Sequence, residues 1–475
     1  MENTTREIRG PIKTKPQLIA HLQEAAEIEQ QLMVQYLYAA FSMKKRPDER
    51  CNAAQFEAVR RWGSTLLMVA RQEMEHLALV NGLLSAIGAE PYFARENIPL
   101  QSPYYLGARL GAERGQSEEV QPCDIPFVFE RFNLATIGRF VCAESPGYDT
   151  LVKSGDPIPT WCFSAPGQPC PGSAANDRGQ SLKQARTHLT GELLEAPLHP
   201  GSIQELYDNI QTAFDELPDL FTGNPSRQVF VPVEYQINIF PIVDLASATT
   251  AISLIVEEGE GIDAPPGYQS HFRRFFDVRD EYEAMLARDP SFDPSLPLLL
   301  NPSGEEITNP FARRTFDLFN YSYATLLFVL SGLYRYYVPQ SSQSYPFFSS
   351  ALQETAFGPA MTMLLRPIAE VLAHTQSGDG EHTTGPNYHL SPEDEALLLD
   401  PDRLDNIDFF LDRFTHIISE LGALSAADLA ANARSEDDVP FLKRQLAFVH
   451  ESATAMSNNM RRIYQIGQLP QFVVT

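Results

Sequence analysis

The chain has 475 residues, of which 43% are hydrophobic, 10% aromatic and 20% charged, a globular composition that excludes a disordered or fibrous polypeptide. The length leaves room for one large domain or for two to three smaller ones. Against 36 lysines and arginines stand 61 acids, a net charge of −25; a field of that sign repels phosphate backbones and anionic lipid, so neither nucleic acid nor membrane is expected as a partner.

Proline punctuates the chain. Seventeen prolines fall between Pro91 and Pro241, whereas Pro47 stands alone between residues 17 and 90. A proline-poor block of that length predicts helices, because proline removes an amide donor and clashes inside a helix. Residues 16–44 carry the stripe Leu18, Leu22, Ala25, Glu29, Leu32, Tyr36, Ala40, Met43. Residues 53–88 carry Val59, Gly63, Leu66, Ala70, Glu73, Leu77, Val80, Leu84, Ile87. Both have the three-and-four spacing of a buried helical face. Gly88 stands where a C-terminal cap belongs, and the short link around Pro47 makes the pair an antiparallel hairpin. Residues 91–241 read as a loop-rich crossover, with a helix at 202–217 and one or two short strands in 227–240. A third helix begins at the N-cap candidate Asp244. A fourth begins at His271, with Phe275, Val278, Tyr282 and Met285 on its stripe, and the short connection predicts a second hairpin. Further helices are expected at 311–337, 347–375, 402–423 and 436–465. The fold class is therefore mainly α: a ferritin-like four-helix bundle (1–300) with a long crossover, and a C-terminal helical region (301–475) packing on it.

The residues that break the apolar pattern carry the chemistry. Glu29 and Glu73 each occupy a core stripe, and burying an unpaired carboxylate costs several kcal/mol, so each calls for a proton, a partner or a metal. His76 follows Glu73 by three residues, on the same helix face. Glu257 and Glu260 repeat that spacing at the end of the third helix, behind the small residues Ala246, Thr250 and Ser253. His271 opens the fourth helix. Glu29, Glu73, His76, Glu257, Glu260 and His271 give four carboxylates and two imidazoles, the donor set of di-iron and di-manganese bundles; hard oxygen donors with some imidazole suit iron, with manganese as the alternative. Taken singly, each residue reads more simply as a rim carboxylate or a capping histidine; the coincidence over four helices favours the metal site. Tyr36, two turns from Glu29, is the catalytic candidate, placed to hydrogen-bond a ligand or relay an electron, against the plainer reading of a core tyrosine.

Other chemistries find no motif: there is no P-loop, no GxGxxG after a strand and no GxSxG elbow. The cysteines, Cys51, Cys123, Cys142, Cys162 and Cys170, form no CxxC pair, so neither a disulfide framework nor a thiolate zinc site is expected. The N-terminus shows no signal-peptide run, and the most apolar stretch, 321–334, is shorter than the roughly 20 residues of a membrane span. The expectation is a soluble, cytoplasmic protein. His382 and His389 read as surface loop histidines.

The stretches EIEQQLMVQYLYAAFS (27–42), ARQEMEHLALVNGLLSAIGAEP (70–91), FNLATIGRFVCAESP (132–146), VDLASATTAISLIVEEGEG (243–261), SHFRRF (270–275) and GPNYHL (385–390) resemble, in order, the ferritin-like family of the iminophenyl-pyruvate and imino-acid dimer synthases of violacein and rebeccamycin biosynthesis. The resemblance implies a ferritin-like bundle with the same six residues as its metal site, and a place in secondary metabolism. The dimer synthases carry a large additional N-terminal region, so haem is not expected, while oxidative coupling of an amino-acid-derived imine stays open as the reaction. The leading expectation is a di-iron oxidase or oxygenase that uses dioxygen on a small organic molecule, such as an amino-acid-derived imine. The alternatives are a ferroxidase or metal-handling protein, and a non-catalytic scaffold in a biosynthetic assembly.

Overall fold

The structure is a computed structural model. It describes residues 11–47, 51–105, 121–122, 124–146, 163–164, 203–231, 237–259, 261, 269–336, 347–400, 404 and 406–468.

Helix α1 (Lys15–Ser42) starts on a capping box in which Thr14 and Gln17 exchange side-chain and backbone bonds, and α2 (Ala53–Ala86) starts on the same device built from Asn52 and Gln55. The reciprocal bonds satisfy amides that the first turn leaves unpaired. α2 ends at Gly88, whose φ of +73° lies in the left-handed region that terminates helices and favours glycine. The two stripes read from the sequence face the core, with only Gly63 half-exposed, and α1 and α2 share the most extensive helix contact of the fold.

The crossover holds more order than its prolines suggest. A ten-residue helix, α3 (Leu134–Ala143), begins on the N-cap Asn133; sequence periodicity did not reveal it because it is short and flanked by proline-rich chain. The expected helix at 202–217 is present as α4 (Ile203–Glu216). The expected strands in 227–240 do not form among the described residues there; instead Leu100–Tyr105 pairs antiparallel with Asp124–Phe127, and Gln121–Pro122 with Phe163–Ser164.

Helix α5 (Leu245–Gly259) starts at Asp244, whose carboxylate accepts from the Ser247 amide at 2.8 Å. Helix α6 (His271–Arg288) is capped by Ser270. The expected α5–α6 hairpin is corrected: α6 packs chiefly along α3, while α5 packs on α4 and α2. The bundle's second pair is therefore α3 with α6, and one of its members comes from the crossover.

The C-terminal half is helical, as α7 (Pro310–Tyr336), α8 (Phe347–Thr355), α9 (Arg366–Ala373), α10 (Pro392–Leu399), α11 (Ile407–Ser425), α12 (Leu429–Asn432) and α13 (Val439–Gln468). Between α8 and α9 a π-helical segment, Ala356–Leu365, breaks at Phe357 and Gly358, where Gly358 adopts φ +92°. The stretch Ser349–Ala373 is long and apolar enough to cross a membrane, but 67% of its apolar window is buried inside the protein, as in a core helix. Buried side chains of both halves form one continuous core. Cys142 is disulfide-bonded, a pairing that the cysteine spacing did not announce.

Candidate metal centre

Six ionisable side chains converge between α1, α2, α3, α5 and α6. Glu29 projects from the middle of α1, and Glu73 and His76 from one face of α2. Glu144 is the C-cap residue of α3, Glu258 sits in the last turn of α5, and His271 is the first residue of α6. All are buried, from 0% exposure at His271 to 5% at Glu258.

Two ligand groups form, and they share Glu73. In the first, Glu29, Glu73 and His76 offer atoms within 4.8 Å of one another; in the second, Glu73, Glu144 and His271 do the same. His76 Nδ1 lies 3.1 Å from Glu73 Oε2 and 3.4 Å from Glu29 Oε2. His271 Nδ1 lies 3.0 Å from Glu73 Oε1 and 3.6 Å from Glu144 Oε2. The two imidazoles stack at 5.5 Å between centroids. Each outer carboxylate also accepts from a buried tyrosine: Tyr207 of α4 donates to Glu29 Oε1, and Tyr36 of α1 donates to Glu144 Oε1. The remaining imidazole nitrogens face acceptors, His76 Nε2 lying 3.1 Å from Glu258 Oε2 and His271 Nε2 lying 3.3 Å from Gln72 Oε1.

The electrostatics call for cations. Four carboxylates against two imidazoles leave an excess of negative charge even with both rings protonated. Burial pushes the Glu29 carboxyl up to about 7, and the neighbouring Glu73 charge adds to it. Burial would lower the His271 imidazole, but the Glu73 and Glu144 carboxylates outweigh it and raise it to about 9; His76 is held well above its ordinary value in the same way, by Glu258, Glu29 and Glu73. Glu144 and Glu258 stand at helix C-termini and His271 at an N-terminus, each opposed by the local macrodipole at about 0.3–1 kcal/mol. Helix geometry thus favours carboxylates that face a cation and an imidazole that stays neutral.

The sequence-predicted residues fare differently. Glu29, Glu73, His76 and His271 come together at this centre. Glu257 is corrected: it is exposed. The face chosen for it, Ala246, Thr250 and Ser253, is the solvent face of α5, whereas Ala248, Ala251, Ile252 and Ile255 are buried and lead to Glu258. Glu260 lies outside the described residues. Tyr36 is at the centre as a hydrogen-bond donor to a carboxylate. His382 is a half-buried loop residue 2.7 Å from Asp379, and His389 is an exposed loop residue whose amide is held by Asn320 and Asn387. The sequence reading missed Glu144, Glu258, Gln72 and Tyr207. For Glu144 the signal was present: Ile137, Phe140 and Val141 are buried, and Glu144 continues their spacing.

A family model described as Ferritin-like matches residues 22–280, more than half of the chain. The chain belongs to the ferritin-like family. Among curated proteins it is 27% identical to the dichlorochromopyrrolate synthase of Lentzea aerocolonigenes, over 80% of this chain and 36% of that protein. It is 29% identical to the 2-imino-3-(indol-3-yl)propanoate dimerase of Chromobacterium violaceum, over 79% of this chain and 34% of that protein. The match thus spans about a third of the length of these curated relatives. The crystal structure of a ferritin-like protein from Caulobacter vibrioides covers 80% of this chain and 100% of its own, at 18% identity and a TM-score of 0.45.

Proposed function

We propose that this ferritin-like protein is a two-metal oxidoreductase, with iron as the expected metal, that acts with dioxygen on a small organic molecule. The observation that carries the reading is the pair of buried carboxylate–histidine groups joined at Glu73. The fit to a metal rests on the donor set: four buried carboxylates, Glu29, Glu73, Glu144 and Glu258, face only two imidazoles, with Glu73 Oε1 3.0 Å from His271 Nδ1. Such an excess of buried negative charge costs several kcal/mol unless protons or a cation neutralise it. Glu29 and His76 would hold one ion, Glu144 and His271 the other, and Glu73 both. Such a pair supplies redox chemistry with dioxygen that amino-acid side chains lack.

The chain's own residues set the conditions for that chemistry. Tyr207 and Tyr36 occupy one oxygen of Glu29 and of Glu144, which fixes each carboxylate and leaves its second oxygen toward the centre. Glu258 and Gln72 orient the two imidazoles with Nδ1 inward. A cavity of about 20 Å³ borders the carboxylates, lined also by Leu32, Ile203, Gln204, Tyr207, Ile255 and Gly259. Its size suits one water-sized molecule, so dioxygen fits beside the centre and an organic substrate must approach from the α4–α5 side. Beside the carboxylates, Leu32, Ile203, Ile255 and Val256 give the cavity an apolar wall. The imino acid in the name of one relative gives the substrate class: an amino-acid-derived imine, in a secondary-metabolic pathway.

The test begins with metal content. Protein produced with iron should carry close to two ions per chain, and Glu73→Ala should carry almost none. The loaded wild type should consume dioxygen when given the imine of an aromatic 2-oxo acid, with new products by mass spectrometry, and Glu73→Ala should not. Fewer than one ion per chain, unchanged by Glu73→Ala, would refute the reading.

A further inference from the structure

The two halves of the centre match in most respects. Each has one outer glutamate held by a tyrosine, a share of Glu73, and one imidazole with Nδ1 inward. They differ at the outer imidazole nitrogen. His76 Nε2 faces a buried carboxylate, Glu258, and His271 Nε2 faces a neutral amide oxygen, Gln72. A second buried carboxylate, Glu75 at 3% exposure, lies near enough to Glu258 and His76 to interact with both, which adds to the negative character of the His76 side.

An acceptor on the outer nitrogen fixes the proton there, aims the ring, and makes the inner nitrogen a better donor; a charged acceptor does this more strongly than an amide. Removing such a partner weakens metal binding about 10–100-fold. We propose that the two ion positions are unequal: the Glu29/Glu73/His76 position fills first and holds its ion more tightly, because the charged Glu258 backs His76 where the neutral Gln72 amide backs His271. Glu258 is then a positioning residue for one ion, and the order of loading is written in the second layer of side chains, since the first layer is the same on both sides. This ranking rests on the two-metal reading above.

The test is a titration of the full-length, metal-stripped protein with Co(II), followed by calorimetry and by the visible bands of the bound ion. Wild type should bind in two steps, the first at least about 10-fold tighter. His76→Ala should remove the tight step and His271→Ala the weak one. Glu258→Gln should weaken the tight step about 10–100-fold and leave the weak step in place, with Glu258→Asp recovering part of the loss. Gln72→Glu, which makes the neutral acceptor a charged one, should tighten the weak step and bring the two together; it tests the ranking even if Glu258→Gln fails to fold. Two equal steps in the wild type, or a Glu258→Gln variant that weakens both steps alike or neither, would overturn the ranking. A wild type that binds no Co(II) would overturn the two-metal reading itself.

Discussion

Glu73 Oε1 and His271 Nδ1 stand 3.0 Å apart across the junction of α2 and α6, an ion pair closed inside the protein. Glu73 is also the carboxylate common to both ligand groups, so it is the residue on which the two halves of the centre depend together.

That sharing separates the variants. Glu144→Ala should lose one ion per chain and keep the other, because Glu144 belongs to the His271 group alone. Glu257→Ala, on the solvent face of α5, should keep both. Metal content by mass spectrometry distinguishes the cases; loss of metal in Glu257→Ala would show that α5 turns its other face to the centre.

Protons compete with metal for the same atoms. His271, raised to about 9, and Glu29, raised to about 7, must both be deprotonated to bind an ion. The apparent affinity should therefore rise with pH. Between pH 7 and 9 binding should release at least one proton, from His271, and below 7 a further one from Glu29. Calorimetry in buffers of different ionisation enthalpy counts these protons; an affinity flat from pH 6 to 9 would contradict the assignment.

Metal binding should stabilise the fold, because the ions relieve repulsion among buried carboxylates and the unfolded chain has no such site. Free metal at about 100 times its dissociation constant contributes about 2.7 kcal/mol. For a chain of 475 residues that is a rise in Tm of roughly 3 °C, which a thermal melt with and without chelator would show.

Tyr36 packs edge-on against Phe140 and Phe275, with centroids at 4.6 and 4.9 Å, so Tyr36→Phe keeps the packing and removes only the donor to Glu144. The expected cost is about 1.5–3 kcal/mol, that of a hydrogen bond to a charged group, measured by denaturant unfolding of the metal-free protein.

At Gly88 a Cβ would meet the Thr222 hydroxyl at 2.8 Å, and φ is +73°. Gly88→Ala should destabilise by about 1–3 kcal/mol, with metal content unchanged, since the strain lies beyond the C-terminus of α2, about 22 Å along the helix axis from Glu73. Unfolding curves and metal analysis together check it.

How much of this was legible in the sequence depended on helix length and on angular precision. α1 and α2 are long, each holds one polar break in an apolar stripe, and Glu29, Glu73 and His76 followed from that. His271 was legible because it opens a clear apolar stripe, Phe275, Val278, Tyr282 and Met285. Glu258 was missed by one position: successive helical residues are about 100° apart, so a single step exchanged the core face of α5 for its solvent face. Small residues beside Glu257 suggested room for a ligand, whereas Ile252 and Ile255 marked the buried side. Glu144 follows the buried positions Ile137, Phe140 and Val141 of α3, but that helix is only ten residues long and lies between prolines, so its pattern was overlooked. Gln72 and Tyr207 act through the tertiary contact alone, and no local pattern announces either.

The contacts that assemble the centre join distant parts of the chain. Tyr207 reaches Glu29 across 178 residues, Glu258 reaches His76 across 182, and Gln72 reaches His271 across 199. Closing loops of that span costs entropy that only later packing recovers, which makes such pairings late events in folding. The α1–α2 hairpin can form early from local contacts, yet it carries Glu29, Glu73 and His76 without Glu144, His271 or Glu258. A chain caught at that stage offers an incomplete cradle, so firm capture of two ions becomes a signal that the crossover has docked. Metal uptake by the nascent protein would thus follow the end of its maturation and serve as a clock for it.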